Sequence, residues 1–381
     1  MSASEPFNAA YADRRVLVTG HTGFKGPWLC SWLERLGAQV FGLALEPDTV
    51  PSLFNDLALS SLMDHEIGDV RDSDVVRRIV ARVRPEVVVH MAAQPLVRRS
   101  YAEPHYTFET NVMGTANVLE AARASDSVHT VLIVTTDKVY ENPETGHAFS
   151  ESEPLGGADP YSASKACAEI VTGAYRRSYF GAADAALVAT ARAGNVIGGG
   201  DWAQDRLLPD CARACMAGEA VIVRNPASVR PWQHVLESLS GYLTLGAALL
   251  EGRTDAATAV NFGPQPGDAL SVAEMVERFV RAWGSGSWES PDMGSQPHEA
   301  GLLRLDISKA RQLLSWEPVW GADRAVTATA AWYRAYAENP DSAARLVDAE
   351  IAAYTEDARA AGVVWASPAS SQGETPGPAS A

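Results

Sequence analysis

Apolar positions in the first half of the chain follow two alternating rhythms. Short runs rich in β-branched residues, RVLVTG (15–20), AQVFGLAL (38–45), EVVVHMAA (86–93) and TVLIV (130–134), are separated by stretches of helical period. In 26–37, Trp28, Leu29, Trp32, Leu33 and Leu36 recur at helical spacing, with Pro27 in the first turn and Gly37 at the end. DSDVVRRIVARVRP (72–85) predicts a second helix, and others are expected near 111–124 and from Tyr161 to about Arg177, with strands at 130–136 and near 186–192. Unbroken apolar strands separated by helices predict a parallel sheet covered on both faces, joined by right-handed crossovers. The fold class is therefore α/β, a doubly wound sheet over residues 14–194.

After about residue 195 the alternation lapses. Short strands (AVIVR, AVNF, LLRLD) mix with helices, one of them opening at SVAE, where Ser271 and Glu274 suit a capping box. Residues 195–360 are expected to form mainly a smaller mixed α/β lobe at the C-terminal side of the sheet, with some segments returning to the sheet. The small, polar C-terminus (ASPASSQGETPGPASA) predicts a disordered tail over 365–381, and 1–13 is expected to be a second one.

A chain of 381 residues, 46% hydrophobic, can bury a large core. Its formal charge of −16 argues against a nucleic-acid groove but leaves room for a small anionic ligand held by local arginines. Cys30, Cys167, Cys211 and Cys215 lack metal-type spacing and read as free thiols in a reducing cytoplasm, with no metal site expected. No basic, apolar leader opens the sequence, and no run reaches the roughly 18 apolar residues of a membrane span.

The first strand runs into TGHTGFKG, which spaces Gly20, Gly23 and Gly26 as GxxGxxG ahead of a helix. Glycines there let the backbone approach a pyrophosphate, and the helix start offers free N–H donors, so a dinucleotide site of Rossmann type is expected. The position that carries the ribose-binding acid in NAD proteins is Ala44, and the first acid, Glu46, comes two residues late. Residues 45–60 contain no Lys or Arg to receive a 2′-phosphate, which favours NAD over NADP. Asp69, after the third strand, is placed to accept from an adenine amino group.

PYSASK sets Tyr161 and Lys165 four residues apart on one helical face, where the ammonium is expected to lower the tyrosine pKa toward a usable base. TTDKVY places Thr136, Asp137 and Lys138 at a strand end, where α/β sheets bind ligands. His90 reads as a satisfied strand histidine, and Trp232 as core more than as a base-stacking residue.

Over residues 14–360 the chain resembles the extended short-chain dehydrogenase/reductases that act on nucleotide sugars, in the branch of CDP-glucose 4,6-dehydration. VLVTGHTGFKG, VPSLF, HMAAQPLVRRSY, TNVMGT, TTDKVY, DPYSASK, RAGNVIGGGDWAQDRL and RNPASVRPWQHVLE carry the likeness. It implies NAD as cofactor, held by Gly20, Thr22, Gly23, Phe24, Lys25, Gly26, Asp69, Val70, Ala92, Ala93, Gln94, Asn111, Tyr161 and Lys165. It implies a substrate, CDP-glucose, held by Gln94, Arg98, Asn195, Arg206, Arg224, Arg230, His234 and His298. By the same likeness Tyr161 takes the C4 hydroxyl proton, Lys165 tunes it and Thr136 bonds the same oxygen. Asp137 then protonates the departing C6 hydroxyl while Lys138 removes the C5 proton, and the hydride returns to C6. Burial beneath the sugar would favour both neutral forms, whereas a direct ion pair would oppose them, so the two are not expected to be closely paired. The resemblance further implies a homodimer through the helices following Asn111 and Tyr161. It breaks at PETGHAFSE (143–151), where the family carries a Trp-rich segment expected near the sugar or the nicotinamide.

Two other readings stay open on the residues: an epimerase or reductase of the same superfamily, or a silent NAD-binding protein. Asp137 speaks against the epimerase, and the joint presence of Thr136, Tyr161 and Lys165 against the silent protein.

Overall fold

Seven parallel strands form the central sheet of the protein, whose computed structural model describes residues 6–291 and 303–366. They are β1 (Arg15–Thr19), β2 (Gln39–Ala44), β3 (Asp64–Ile67), β4 (Val87–His90), β5 (Thr130–Val134), β6 (Leu187–Arg192) and β7 (Ala259–Asn261). Their order is β7-β6-β5-β4-β1-β2-β3, all neighbours in parallel register, with Thr19 opposite His90 and Ile133 opposite Thr190. The order reverses between β1 and β4, so the loops leaving their C-terminal ends diverge and open a crevice.

Local chemistry explains the elements that border that crevice. β1, β4 and β5 are buried almost throughout, as strands covered on both faces must be. The helix Lys25–Arg35 buries Trp28, Leu29, Trp32 and Leu33. The helix Pro160–Tyr179 starts with Pro160 in its first turn and Asp159 as cap, whose carboxylate accepts from the Ser162 amide at 3.0 Å. Ser271 and Glu274 form the expected capping box on the helix Val272–Trp283.

The structure revises one expectation and makes another specific. The N-terminal segment is packed from Pro6 onward: the Phe7 ring stacks on Trp365 at 4.7 Å and meets Trp32 at 5.8 Å, while Tyr11 donates to the Leu243 carbonyl at 2.8 Å. Neither 6–13 nor 365–366 is therefore a loose tail. A few aromatic anchors outweigh a small, polar composition, because each buries a large apolar area. AVNF, grouped by sequence with the short strands of the second lobe, supplies β7 of the main sheet, and the helix Val235–Leu250 packs beneath the sheet. The chain after residue 195 is thus shared between lobe and sheet.

Candidate active site

Two adjoining cavities occupy the crevice. One of about 260 Å³ is floored by the glycine loop and walled by the ends of β2, β3 and β4. One of about 650 Å³ lies between the ends of β5 and β6, the start of the helix Pro160–Tyr179 and the C-terminal lobe.

The smaller cavity has the shape and donors of a dinucleotide site. Gly20 has a φ of +78°, and a Cβ on it would lie 2.7 Å from the Ala92 amide nitrogen, so only glycine lets the loops after β1 and β4 meet. Thr22, Gly23, Phe24, Lys25, Gly26, Asp69, Val70, Ala92, Ala93 and Gln94 line it, as do Ala44, Glu46 and Asp48. The late acid Glu46 therefore still faces the cavity. Burial would raise the Asp69 carboxyl, but Arg71, whose Nη2 lies at 2.6 Å, holds it below the usual carboxylate range. These groups suit a dinucleotide: amides at a helix start for the pyrophosphate, carboxylates for ribose and adenine donors.

Asn111 is not part of this lining. It sits in the turn Glu109–Met113 and is consumed internally: its Oδ1 accepts from the Gln94 amide at 2.8 Å, and its Nδ2 donates to the Ser164 hydroxyl at 2.8 Å. The Gln94 side chain is similarly committed, donating to Thr107 Oγ1 at 2.9 Å and accepting from the Leu96 amide at 2.7 Å. Gln94 borders the smaller cavity and not the larger, which places it with the expected cofactor residues and away from the sugar side. An amide can serve a ligand or the protein itself, and here both are taken up by neighbouring amides and hydroxyls. His90 is a satisfied strand histidine as expected, between Thr19 Oγ1 at 2.7 Å and Thr115 Oγ1 at 3.2 Å; burial, then the Lys165 charge, lowers it to about 3.

The larger cavity gathers Thr136, Lys138, Tyr161, Lys165 and Asn195, with Asp137 forming the wall behind them. Thr136 caps the turn Asp137–Val139 and donates to Asp137 Oδ1 at 2.9 Å. Asn195 donates to Asp137 Oδ2 at 3.2 Å, and Lys138 Nζ lies 3.6 Å from Oδ1. Asp137 is 1% exposed. Sequence reasoning missed Gly194: a Cβ there would fall on the Asp137 carboxylate, so this glycine makes the space that the acid fills. The close approach of Asp137 and Lys138 also differs from expectation, since the two side chains leave adjacent positions of one short turn.

Tyr161 is pushed up to about 12, first by burial and secondarily by the Asp137 charge, with the Thr136 hydroxyl opposing. The Lys165 ammonium donates to the Val134 carbonyl at 3.1 Å. Burial, then repulsion from Lys25, brings Lys165 down to about 8.

Arg98, Arg206, Arg224 and Arg230 line the rest of the cavity, the array that anionic recognition requires. Asp205 pairs with Arg224, and Asp201 with Arg206 at 3.3 Å. Trp232 is both core and wall: it is buried, its indole donates to the Leu270 carbonyl at 3.2 Å, and it borders the cavity. His234 is not in the cavity. It caps the helix Val235–Leu250, is fully buried between Trp28 and Trp320, and faces Glu350 at 3.3 Å. His298 lies outside the described residues. The 143–151 segment borders neither cavity: Phe149 stacks on Tyr140 at 4.9 Å, and Ala148–Phe149 pairs with Arg304–Leu305. Tyr140 points away from the cavity toward Arg192, and the segment follows it there. Among the described residues no cluster of His, Cys, Asp and Glu could hold a metal ion, and no helix is long and apolar enough to cross a membrane.

Comparison with known proteins places this geometry. The family described as GDP-mannose 4,6 dehydratase matches residues 17–329. The chain is 47% identical over 335 residues to the CDP-glucose 4,6-dehydratase of Salmonella typhimurium, covering 87% of this chain and 93% of that protein. It is 27% identical to the UDP-glucose 4-epimerase of Mycolicibacterium smegmatis, covering 84% of this chain and 98% of that one. Among solved structures, the dTDP-glucose 4,6-dehydratase DesIV of Streptomyces venezuelae with NAD bound superposes with a TM-score of 0.71 at 27% identity, over 85% of this chain and 97% of that one.

Proposed function

The chain belongs to the family described as GDP-mannose 4,6 dehydratase, and from that membership we propose that it is an NAD-dependent hydro-lyase that converts CDP-glucose to CDP-4-keto-6-deoxyglucose. The observation that carries this reading is one cavity wall that combines Thr136 and Tyr161 with the acid–lysine pair Asp137–Lys138. Bound NAD supplies the acceptor, and later the donor, of a single hydride.

The residues divide the remaining work. Arg98, Arg206, Arg224 and Arg230 hold the diphosphate. Tyr161 takes the proton of the C4 hydroxyl, with Thr136 bonded to the same oxygen. Tyr161 does so as the phenolate, whose negative charge the Lys165 ammonium offsets. With C4 a ketone, the C5 proton becomes acidic: Lys138 removes it, and Asp137 delivers a proton to the departing C6 oxygen, so one water leaves. The proton on Lys138 returns to C5 as C6 is reduced. The 3.6 Å separation of Asp137 and Lys138 suits these roles. An ion pair and its neutral form differ by one proton moved between the partners, and a sugar that seals the site from water favours the neutral form, which is the acid and the base required.

The reaction occurs in the cytoplasm, a compartment that suits four free cysteines. Its working unit is a homodimer. Met113, in the turn after Asn111, and Ile170, on the helix that holds Tyr161, are 54% and 56% exposed, apolar positions that a second copy would cover. A monomeric mass by light scattering at micromolar concentration would overturn the dimer.

The functional test incubates purified protein and NAD with CDP-glucose. Loss of one water by mass spectrometry, without net NADH, is the expected result. An unchanged mass with an altered stereocentre by NMR would assign epimerisation and remove Asp137 from the role of acid.

A further inference from the structure

The two cavities share a rim, and three cations stand on it: Lys25, Arg99 and Arg206. Two of them are matched by acids. Arg99 donates to Glu103 at 3.0 Å, and Arg206 to Asp201 at 3.3 Å. Lys25 differs. Its ammonium donates to the Tyr242 hydroxyl at 3.0 Å and lies 5.1 Å from the centre of that ring. Burial pushes the Tyr242 phenol far above its ordinary range, so the direct partner of the ammonium is neutral. Burial, then repulsion from Arg206, brings Lys25 down to about 8 while Asp137 opposes the shift, so the ammonium keeps its proton at neutral pH.

Nothing in the glycine loop requires a charged side chain at this position. The turn needs the backbone and the glycines, and an apolar residue would fill the space beneath Tyr242 without a desolvation cost. The charge is nonetheless carried there by a side chain whose anchor lies 217 residues away in sequence. Hydride transfer requires the reacting ring of a cofactor in the smaller cavity to meet the sugar where the cavities join. A nicotinamide ring is positively charged before it takes a hydride and neutral afterwards, so a fixed cation nearby disfavours the oxidised state.

We propose that Lys25, held by Tyr242 at the rim shared by the two cavities, biases the bound cofactor toward its reduced form and so draws the hydride from C4 of the sugar. The inference rests on the reading of the chain as NAD-dependent. It makes Lys25 a charge-setting residue, separate from the proton transfers of Tyr161, Asp137 and Lys138. It also gives the reduced cofactor a reason to stay bound until the hydride returns.

Calorimetric titration of the substrate-free protein with NAD and with NADH tests this, because it reads affinity and not turnover. Lys25→Met is expected to shift the ratio of the two dissociation constants about tenfold toward the oxidised form, the size of a screened charge effect over several ångströms. Lys25→Arg should restore most of the wild-type ratio. Lys25→Gln, which can still hydrogen-bond the Tyr242 hydroxyl, should reproduce the Met result in a protein of unchanged melting behaviour. If either neutral variant weakens both nucleotides by the same factor, Lys25 is structural and the inference is wrong. If the wild-type protein binds neither nucleotide, the NAD reading itself falls and takes the inference with it.

Discussion

Two buried acid–base pairs lie on either side of one strand end, and they are built in opposite ways. Thr135 and Thr136 follow β5 and point to opposite sides, as successive residues of an extended chain do. Thr135 turns inward and donates to Glu169 at 2.5 Å. The same carboxylate accepts from Thr190 at 2.7 Å and from Arg192 at 2.9 Å, and Arg192 in turn donates to Tyr140 at 2.8 Å. Although burial works against it, these donors hold Glu169 below the usual carboxylate range. Thr136 turns toward the cavity, where Asp137 has two neutral donors and a lysine at 3.6 Å that is one-quarter exposed. A carboxylate saturated by short bonds fixes a wall, because moving its proton or its partner costs too much. A carboxylate left with one loose, partly wet cation can exchange a proton with a substrate.

The contrast breaks most severely at Asp137. Asp137→Asn keeps the shape and an acceptor for Thr136 but removes the acid proton, so product formation should fall by about 10²- to 10⁴-fold, the usual worth of a general acid. Oxidation at C4 does not need that proton. A transient NADH absorbance on mixing with CDP-glucose should therefore survive in Asp137→Asn and vanish in Tyr161→Phe. Loss of both signals in the Asn variant would make Asp137 a positioning group for the sugar.

The same contrast shows what the sequence could reveal. GxxGxxG, YxxxK and TTDKVY each lie in one continuous stretch, so the chain alone shows which residue types stand together. Strand and helix order followed from periodicity for the same reason. What stayed hidden depends on partners far along the chain. Gly194 is small because Asp137, 57 residues earlier, needs the room, and Lys25 finds its hydroxyl on Tyr242. His234 stands in a motif beside cavity-lining Trp232 and Arg230, yet its ring turns into the core to cap a helix and meet Glu350. A motif records which residues occur together but not which way each one points. Asn111 is hidden in the same way, since an amide fits a ligand and the protein's own interior equally well. Phe7 and Trp365 are hidden because each stands in a segment otherwise made mostly of small and polar residues.

At the saturated pair the effect should move from rate to stability. Glu169→Gln leaves the Arg192 charge buried without its counter-ion, so the folded state should lose about 3–5 kcal/mol. Urea or thermal denaturation would register the loss, while turnover per folded molecule at low temperature should change only a few-fold. Replacing both partners by apolar residues of similar volume should cost less than the single change, because no charge is then stranded. An unchanged melting curve together with lost dehydration would instead move Glu169 from the wall into the chemistry.

Gly194 offers the smallest and most specific perturbation. Its backbone is of the ordinary kind, so glycine is there for space alone, and Gly194→Ala would place a methyl group on the Asp137 carboxylate. Either the carboxylate tilts away from Thr136 and Asn195 or the chain around residue 194 moves, and overpacking of this kind costs about 1–3 kcal/mol. The direction of yielding decides the readout. The turn Asp137–Val139 is short and capped by Thr136, the same residue that bonds the displaced carboxylate, whereas residue 194 follows β6, which is locked between β5 and β7. The acid should therefore give way: dehydration slows by about tenfold, as expected for a catalytic group displaced by a fraction of an ångström, while the NADH transient from C4 oxidation keeps its rate. Equal slowing of both steps would mean that the whole strand end shifts, carrying Thr136 and Tyr161 with it, and that the loose pair is no more independent of the sheet than the saturated one.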